Sequence, residues 1–126
     1  MAKEITSKGG EAIANHDNVI DGGPAIIKQA MDKWGRIDVI VNNAGIIRDK
    51  SFKKMNDEEF NIIISVHLRG TFSLIKAAWP VFLAQKYGRV VNVTSPSGLW
   101  GNFGQANYST AKMGIVGLTL TLAKEG

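Results

Sequence analysis

The sequence contains no cysteine. This absence excludes a disulfide scaffold, a thiolate metal site and a cysteine nucleophile. Long apolar runs are also missing: the longest apolar-looking stretch, Met113 to Ala123, has 11 residues and includes two threonines. A helix that crosses a bilayer needs about 20 apolar residues. We therefore expect no membrane span, and the sequence shows neither a signal-peptide stretch nor another targeting signal.

Charge of one sign is not concentrated anywhere along the chain. The 15 lysine and arginine residues outnumber the 11 acidic residues, which gives a formal net charge of +4 and a pI of about 9.5. A basic balance suits anionic ligands, but the lysines are scattered and form no stripe of the kind that binds nucleic acid. The pattern indicates a solvated basic surface, and we predict no nucleic-acid partner.

The composition is that of a single globular domain. The chain has 126 residues, of which 44% are hydrophobic and 21% charged, values typical of folded proteins rather than disordered ones. No low-complexity tract, linker or internal repeat interrupts it. We therefore treat residues 1–126 as one unit.

Three apolar runs predict strands. Ile37–Val41 is a compact β-branched run, a pattern that suits a strand buried on both faces of a parallel sheet. Arg89–Thr94 is the next predicted strand. The shorter run Ala12–Ala14 is a third candidate, because it ends at a polar cluster.

Helices are predicted between these strands. Their expected extents are the tail of a helix over Ala2–Lys8, a helix from about Pro24 to Gly35, a long helix that starts at Asn56, and a final helix from about Asn107. Asn56 and Glu59 resemble a capping box, and Pro80 is expected to end or kink the long helix. Its apolar face is predicted to comprise Phe60, Ile64, His67, Thr71, Ile75 and Ala78. The final helix is expected to bury Ile115, Leu118 and Leu122.

Strands that alternate with helices indicate parallel βαβ units, and therefore an α/β fold with helices on both faces of the sheet. In such sheets the chemistry lies at the carboxyl ends of the strands. Two segments follow predicted strand ends: the turn Asn42–Gly45 and the loop Ser95–Tyr108.

Tyr108 and Lys112 form the first candidate pair. They are four residues apart, so on a helix they lie on one face, one turn from each other. A free tyrosine is a poor base at neutral pH, and a nearby cation favours its phenolate form. The pair can therefore donate or accept a proton. A plain surface pair at the same spacing is the alternative interpretation.

Ser95 lies 13 residues before Tyr108, at the end of a predicted strand. A hydroxyl at that position could face the helix that carries the tyrosine and hydrogen-bond a substrate oxygen. An ordinary serine-rich turn is the alternative, and Ser97 is the rival hydroxyl. The turn Asn42–Gly45 consists of small residues after a buried strand, which lets the backbone approach a flat ligand closely.

Together, the motif Val41–Gly45 (VNNAG), Ser95 and the Tyr108–Lys112 motif (YxxxK) resemble the short-chain dehydrogenase/reductase family. The resemblance covers nearly the whole chain and implies a partial Rossmann-like, doubly wound parallel sheet and an NAD-dependent oxidoreductase, with NADP as the alternative cofactor. More narrowly, the segments NNAGIIRDKSF, VHLRGTF and GNFGQANYSTAK resemble the (3R)-hydroxyacyl-CoA dehydrogenase region of peroxisomal multifunctional β-oxidation enzymes. An acyl-CoA-type substrate and a peroxisomal location follow from that resemblance alone.

The resemblance also implies roles for individual residues. Tyr108 is the general acid/base, Lys112 favours its phenolate and binds the nicotinamide ribose, and Ser95 orients the substrate oxygen. Asn43 lines the nicotinamide side of the cofactor pocket. Three residues are expected near the adenine: Asp17, Asn18 and Val19. No metal site is expected.

His67 departs from the usual family pattern. Many members have an asparagine at the matching position of the long helix, where it completes a proton relay. A histidine can still hold a relay water, since its pKa is near neutral. The alternative is a satisfied core histidine on the apolar face of the helix.

The glycine-rich loop that cradles the pyrophosphate in the family does not occur in this sequence. The family sheet also has two further strands between Ala12–Asn15 and Ile37–Val41, a gap of roughly 14 Å, so we expect one strand without a partner. The first interpretation is therefore part of a larger dehydrogenase with little or no activity as an isolated chain. The second is a non-catalytic remnant or a module that forms homodimers through its long helices.

Overall fold

The structure, a computed structural model, describes all residues from 1 to 126. Along the chain the elements are α1 (Ala2–Ser7), α2 (Gly23–Trp34), β1 (Val39–Asn42), α3 (Asp57–Ile64), a π-helical turn (Ser65–Arg69), α4 (Gly70–Gln85), β2 (Arg89–Asn92), α5 (Pro96–Trp100) and α6 (Ala106–Glu125). The order confirms the predicted α/β class. None of the helices combines the length and the apolar character that a membrane crossing requires.

β1 and β2 form a two-stranded parallel sheet in which Val39 pairs with Arg89 and Asn42 with Asn92. The side-chain amide nitrogen of Asn42, Nδ2, donates a hydrogen bond of 2.8 Å to the side-chain oxygen of Asn92. Because parallel strands end at the same edge, the segments after Asn42 and Asn92 begin side by side. This edge is where the candidate residues gather.

One face of the sheet carries the main core. The core combines Ile27 of α2, Ile37 and Ile40 around β1, and Ala78 and Phe82 of α4, all of them buried. These apolar positions recur at helical spacing in α2 and α4, and they meet the side of the sheet on which Ile40 points inward.

The opposite face of the sheet is open. Val39, Val41 and Val91 are 53%, 58% and 49% exposed. The prediction that the strand Ile37–Val41 is buried on both faces is therefore wrong. No helix of the chain packs over this face, so the alternate side chains of the two strands remain in solvent.

The predicted strand Ala12–Ala14 is also wrong, since this segment has no regular secondary structure. As expected, no strand lies beside it. Side chains of α2 hold the segment instead: Gln29 donates to the Ala14 carbonyl at 2.9 Å, and the Trp34 indole donates to Glu11 at 2.9 Å.

The predicted ends of α2 and α3 are confirmed. Pro24 occupies the first turn of α2, and Gly35 ends the helix in the left-handed conformation with φ 70°, which glycine adopts at little cost. The capping box is formed: Asn56 Oδ1 accepts from Glu59 N at 2.8 Å, and Glu59 Oε2 accepts from Asn56 N at 3.1 Å.

The long helix runs from α3 through the π-helical turn into α4 and differs from the prediction in two respects. Pro80 does not end it, because α4 continues to Gln85. The buried residue of α3 is Ile63 rather than Ile64, because a π-helical turn inserts one extra residue and shifts the phase of the apolar face. His67 lies within that turn and is buried.

The loop after β2 contains a helix that the sequence did not reveal. α5 occupies five residues, Pro96–Trp100, with Ser95 as its N-cap. Its glycine and serine content had indicated an irregular loop. The final helix is confirmed as α6, which begins at Ala106 and buries Ile115, whereas Leu118 and Leu122 are only half-buried.

Candidate active site

Lys112 is the most deeply placed charge of the candidate site. Its side chain is on the second turn of α6, and the residue is only 4% exposed. The Nζ donates a hydrogen bond of 2.7 Å to the Val93 carbonyl, and the Thr94 hydroxyl donates 2.9 Å to the Lys112 carbonyl. This reciprocal pair fixes the ammonium at the end of β2. Burial lowers the pKa of Lys112, because it disfavours the charged form.

Tyr108 lies one turn before Lys112 on the same face of α6. The ammonium Nζ is 5.5 Å from the centre of the Tyr108 ring. The His67 ring meets the same tyrosine edge-on, with 5.1 Å between ring centres and an interplanar angle of 90°. The Tyr108 ring therefore lies beside both a buried cation and an imidazole, and a plain surface pair does not describe this arrangement.

His67 is 4% exposed. Its Nε2 lies 2.8 Å from the Ile46 carbonyl oxygen and 3.2 Å from the Ile46 amide nitrogen. We assign the ring proton to Nε2, since the shorter contact is to an acceptor. The other ring nitrogen, Nδ1, is then a bare acceptor, and it is buried without a partner. Burial lowers the pKa of His67; the nearby Lys112 charge adds to this, and the Ile46 hydrogen bond opposes it.

The turn after β1 makes room for this imidazole. A Cβ added to Gly45 would lie 2.4 Å from His67 Cε1, far inside the contact distance of two carbon atoms. Only glycine at position 45 therefore allows the turn and the ring to pack together. The small-residue turn Asn42–Gly45 thus has a structural reason that the sequence did not show.

Ser95 follows β2 directly and begins α5. Its Oγ accepts a hydrogen bond of 3.2 Å from the Ser97 amide, so its own hydroxyl hydrogen remains able to donate. Ser97, the rival serine, is inside α5. A Cβ on Gly98 would lie 3.0 Å from Lys112 Cβ, which shows how closely α5 packs against α6. Ser95 is therefore at the same sheet edge as Lys112.

The residues expected around the cofactor divide into two groups. Val19 and Asn43 line one cavity of about 80 Å³ between the end of β1 and the long helix. Asp17 and Asn18 lie on the exposed loop that leads to Val19, where Asp17 accepts a hydrogen bond of 2.8 Å from Asn15. The structure thus brings Val19 and Asn43 together and leaves Asp17 and Asn18 beside them in solvent.

Asn107 is a residue of this site that sequence reasoning missed. It is fully buried. Its Nδ2 donates 2.9 Å hydrogen bonds to the carbonyls of Arg48 and Glu59, and its Oδ1 accepts 2.8 Å from the Tyr108 amide. An asparagine immediately before the tyrosine was the only sequence signal, and it did not reveal partners 48 and 59 residues away.

Further contacts join the same two segments. The backbone amide of Lys50 donates to the Gly104 carbonyl at 2.9 Å, and the side-chain Nε2 of Gln105 donates to Asp49 Oδ2 at 2.9 Å. Lys50 also forms an ion pair with Glu59 of α3. The start of α6, and with it Tyr108, is therefore fixed against residues 48–50 and α3.

The arrangement can perform proton transfer. It offers a phenol beside a buried ammonium, a neutral imidazole with a free acceptor nitrogen, and a hydroxyl able to donate. The turn of small residues at the end of β1 allows a flat ligand to approach the backbone closely. No group of three or more histidine, cysteine, aspartate or glutamate side chains is arranged to hold a metal ion.

The model of the short chain dehydrogenase family matches residues 1–126. The chain is 57% identical to the peroxisomal hydratase-dehydrogenase-epimerase of Saccharomyces cerevisiae and 56% identical to the peroxisomal multifunctional enzyme type 2 of Mus musculus. These matches cover 100% of this chain but only 14% and 17% of the relatives' length.

A solved structure agrees with this result. The full-length peroxisomal multifunctional enzyme type 2 from Drosophila melanogaster superposes with a TM-score of 0.86 at 44% sequence identity, over 99% of this chain and 21% of that one. The match confirms the partial Rossmann-like fold that the resemblance implied. Since the family model matches the chain from its first residue to its last, the chain belongs to the short-chain dehydrogenase family.

Proposed function

We propose that the site formed by Tyr108, Lys112, Ser95 and His67 interconverts a secondary alcohol and a ketone with NAD. The observation that carries this proposal is the buried ammonium of Lys112 beside the Tyr108 ring, at 5.5 Å from its centre. The phenol hydroxyl beside this cation is the group able to exchange a proton with a bound alcohol.

Tyr108 takes the hydroxyl proton of the alcohol in the oxidative direction and returns it in the reductive one. Lys112 has two roles. Its charge lies beside the Tyr108 ring, and its ammonium has three donors, of which the Val93 carbonyl uses one. The remaining donors are free to bind the hydroxyls of the nicotinamide ribose.

Ser95 orients the reacting oxygen. Its hydroxyl hydrogen is available for a substrate oxygen, because its own oxygen already accepts from Ser97. Asn43 contacts the nicotinamide half of the cofactor, and Asp17, Asn18 and Val19 contact the adenine half; the cavity shared by Val19 and Asn43 lies on the path between the two. A bound NAD supplies the hydride acceptor; the chain supplies position and electrostatics.

His67 is proposed to hold a relay water at its free acceptor nitrogen. Nδ1 is buried and has no protein partner, and a buried polar atom normally requires one. Burial lowers the pKa of His67 and so favours the neutral ring, whose Nδ1 can accept a hydrogen bond from that water.

The proposed substrate is a (3R)-hydroxyacyl-CoA, which the reaction converts to a 3-ketoacyl-CoA in peroxisomal fatty-acid oxidation. The names of the yeast and mouse relatives support a peroxisomal setting, and the yeast name includes dehydrogenase. The net charge of +4 suits an anionic thioester. The chain spans only 14% of the yeast relative's length. Dehydrogenase activity should therefore be assayed in the longest protein that contains this sequence.

Tyr108→Phe tests the proposal. Removal of the hydroxyl should lower turnover of a 3-hydroxyacyl-CoA with NAD by about 10²- to 10⁴-fold, the usual contribution of a general acid/base. Tyr87→Phe is the matched control, since Tyr87 is 45% exposed and packs on Arg89. The free energy of unfolding should stay within about 0.5 kcal/mol in both variants. Equal turnover in the two variants would refute the role of Tyr108.

A second candidate is a module that forms homodimers through its long helices. Exposed apolar residues on these helices favour it: Phe72 and Met113 are each 49% exposed, and Leu120 is 62% exposed. Gly117 of α6 also faces open space, since a Cβ there would meet nothing within 4 Å. Helices with small and apolar exposed positions can pack closely on a second copy.

A further inference from the structure

One irregular segment of the chain contacts both His67 and the start of the helix that carries Tyr108. Residues 45–50, termed here the bridging segment, begin at the end of the turn after β1 and form neither a helix nor a strand. A segment without a hydrogen-bond ladder of its own keeps a fixed position only through contacts with neighbouring elements. The partners of the bridging segment therefore show which parts of the site it holds.

The first half of the bridging segment holds His67. The Ile46 carbonyl oxygen lies 2.8 Å from His67 Nε2, and the Ile46 amide nitrogen lies 3.2 Å from the same atom. Gly45 packs so closely on the ring that a Cβ there would lie 2.4 Å from His67 Cε1. These contacts are made by the imidazole itself rather than by the histidine backbone. They therefore fix the orientation of the ring.

The second half of the bridging segment holds the start of α6. The Arg48 carbonyl accepts a hydrogen bond of 2.9 Å from Asn107 Nδ2. Two residues later, the backbone amide of Lys50 donates to the Gly104 carbonyl at 2.9 Å. Tyr108 follows Asn107 directly in the chain, so these bonds restrain the turn of α6 from which the phenol projects.

Asp49 and Gln105 add a bond between two side chains. Asp49 Oδ2 accepts from Gln105 Nε2 at 2.9 Å, and an ionised acceptor strengthens such a bond. Gln105 is 8% exposed and is the N-cap residue of α6. Its Oε1 accepts from Asn102 Nδ2 at 3.1 Å, so both ends of its amide group have partners. Gln105 cannot turn away without losing a bond, and it therefore ties the bridging segment to the first turn of α6.

We propose that Asp49 and Gln105 are positioning residues for proton transfer. Their hydrogen bond closes the bridging segment onto α6 and so holds the Tyr108 ring against His67. The two rings meet edge-on with 5.1 Å between their centres, and each half of the bridging segment restrains one of them. This inference rests on the proposed function, because the ring contact affects turnover only if Tyr108 and His67 take part in it. Misplacement of a reacting group by about 1 Å can lower a rate by about 10²-fold.

Asp49→Ala tests this role in the longest protein that contains this sequence. Because Asp49 is exposed, the variant should fold. Loss of the carboxylate should lower kcat for a 3-hydroxyacyl-CoA at least fivefold and leave KM for NAD within twofold, since Asp49 does not contact the residues proposed to bind the cofactor. Asp49→Asn keeps an acceptor oxygen of the same shape and should retain kcat within threefold.

Asp32→Ala is the matched control, because it removes an exposed carboxylate that pairs with Lys28 on α2, away from the site. It should leave kcat unchanged. Equal kcat in Asp49→Ala and Asp32→Ala would overturn the proposal. A loss in Asp49→Asn as large as that in Asp49→Ala would also overturn it, since the acceptor oxygen would then not be the group that matters.

A double-mutant cycle tests whether the two residues act through one bond. Gln105→Ala should lower kcat about as much as Asp49→Ala does. The double variant Asp49→Ala/Gln105→Ala should be no slower than the slower single variant. If the two losses multiply instead, the residues act independently and their hydrogen bond is not the positioning contact.

Crystal structures separate this inference from the proposed function, since they need no turnover. In Asp49→Ala, the centres of the His67 and Tyr108 rings should lie at least 1 Å further apart than in the unsubstituted protein. Asp32→Ala should leave that distance unchanged. If the rings separate in Asp49→Ala but no form of the protein oxidises a 3-hydroxyacyl-CoA, the proposed function fails and the positioning contact stands. If the rings stay together in Asp49→Ala, the inference is wrong whatever the activity of the unsubstituted protein.

Discussion

Two buried basic side chains beside one phenol define the electrostatics of the site. Lys112 and His67 are each 4% exposed, and burial lowers the pKa of both. The Lys112 ammonium keeps a carbonyl partner at 2.7 Å, whereas the His67 ring keeps one nitrogen without any partner. Burial therefore disfavours the charged form of both groups, and a carbonyl partner offsets this for the ammonium.

The His67 environment predicts a specific loss of stability in acid. Its pKa is lowered in the folded chain, so the unfolded chain binds the proton more readily. Stability should fall as the pH drops through the ordinary histidine value of about 6.5 and stop falling below the folded pKa. His67→Asn should remove this part of the pH dependence. Urea unfolding at pH 8 and pH 5 measures it.

His16→Asn provides the control for that experiment, since His16 is exposed. It should retain the pH dependence of the unsubstituted chain. If His16→Asn and His67→Asn change the acid loss equally, the buried imidazole is not its source.

At the residue scale, the sequence predicted contacts between residues that are close together along the chain and missed contacts between residues that are far apart along it. Tyr108 and Lys112 are one helical turn apart, so their spacing alone placed them on one face. Asn107 bonds carbonyls 48 and 59 residues away, and no short pattern encodes such partners. The same holds for Gly45, whose need for glycine arises from contact with His67.

At the element scale, helix ends were predictable where a local signal marks them. The capping box at Asn56 and the left-handed Gly35 were both confirmed. Pro80 was misleading, because α4 continues past it while Ala78 and Phe82 on either side pack in the core. Packing of that kind outweighs one missing backbone hydrogen bond, and local propensity does not report it.

Asn107 joins three elements, and its removal should be costly. Asn107→Ala would leave the Arg48 and Glu59 carbonyls and the Tyr108 amide without their partner. We expect the free energy of unfolding to fall by about 3 kcal/mol, since each unsatisfied buried group costs about 1–3 kcal/mol. Denaturant unfolding measures the change. The control Asn61→Ala removes an exposed asparagine from α3 and should change stability by less than about 0.5 kcal/mol; similar losses in both variants would contradict the bridging role.

At the scale of the whole molecule, the two-stranded sheet has one covered and one open face. The Val/Ile runs showed that both faces are apolar, but an apolar face does not reveal whether another element covers it. Val39, Val41 and Val91 are about half exposed or more, and both outer strand edges lack partners. Such surfaces promote association.

This surface and the exposed side of the long helices predict two distinguishable routes to self-association. Val41→Lys places a charge on the open sheet face, and Leu120→Lys places one on α6. Because Val41 and Leu120 are 58% and 62% exposed, neither change should unfold the chain. If the helices form the dimer, Leu120→Lys should raise the dissociation constant at least tenfold in sedimentation, and Val41→Lys should reduce only larger aggregates. The reverse result would contradict dimerisation through the helices.

Because of the π-helical turn at Ser65–Arg69, the stability of this part of the chain should depend more on the number of residues in it than on their identity. Ile63 and Ile75, both buried, are twelve positions apart, and in an unbroken α-helix that spacing would turn one side chain about 120° away from the other. The π-helical turn takes up one residue and lets both face inward. A single-residue insertion there should therefore be far more damaging than a conservative replacement, whereas a single-residue deletion leaves a spacing of about three α-helical turns and should be the better tolerated change.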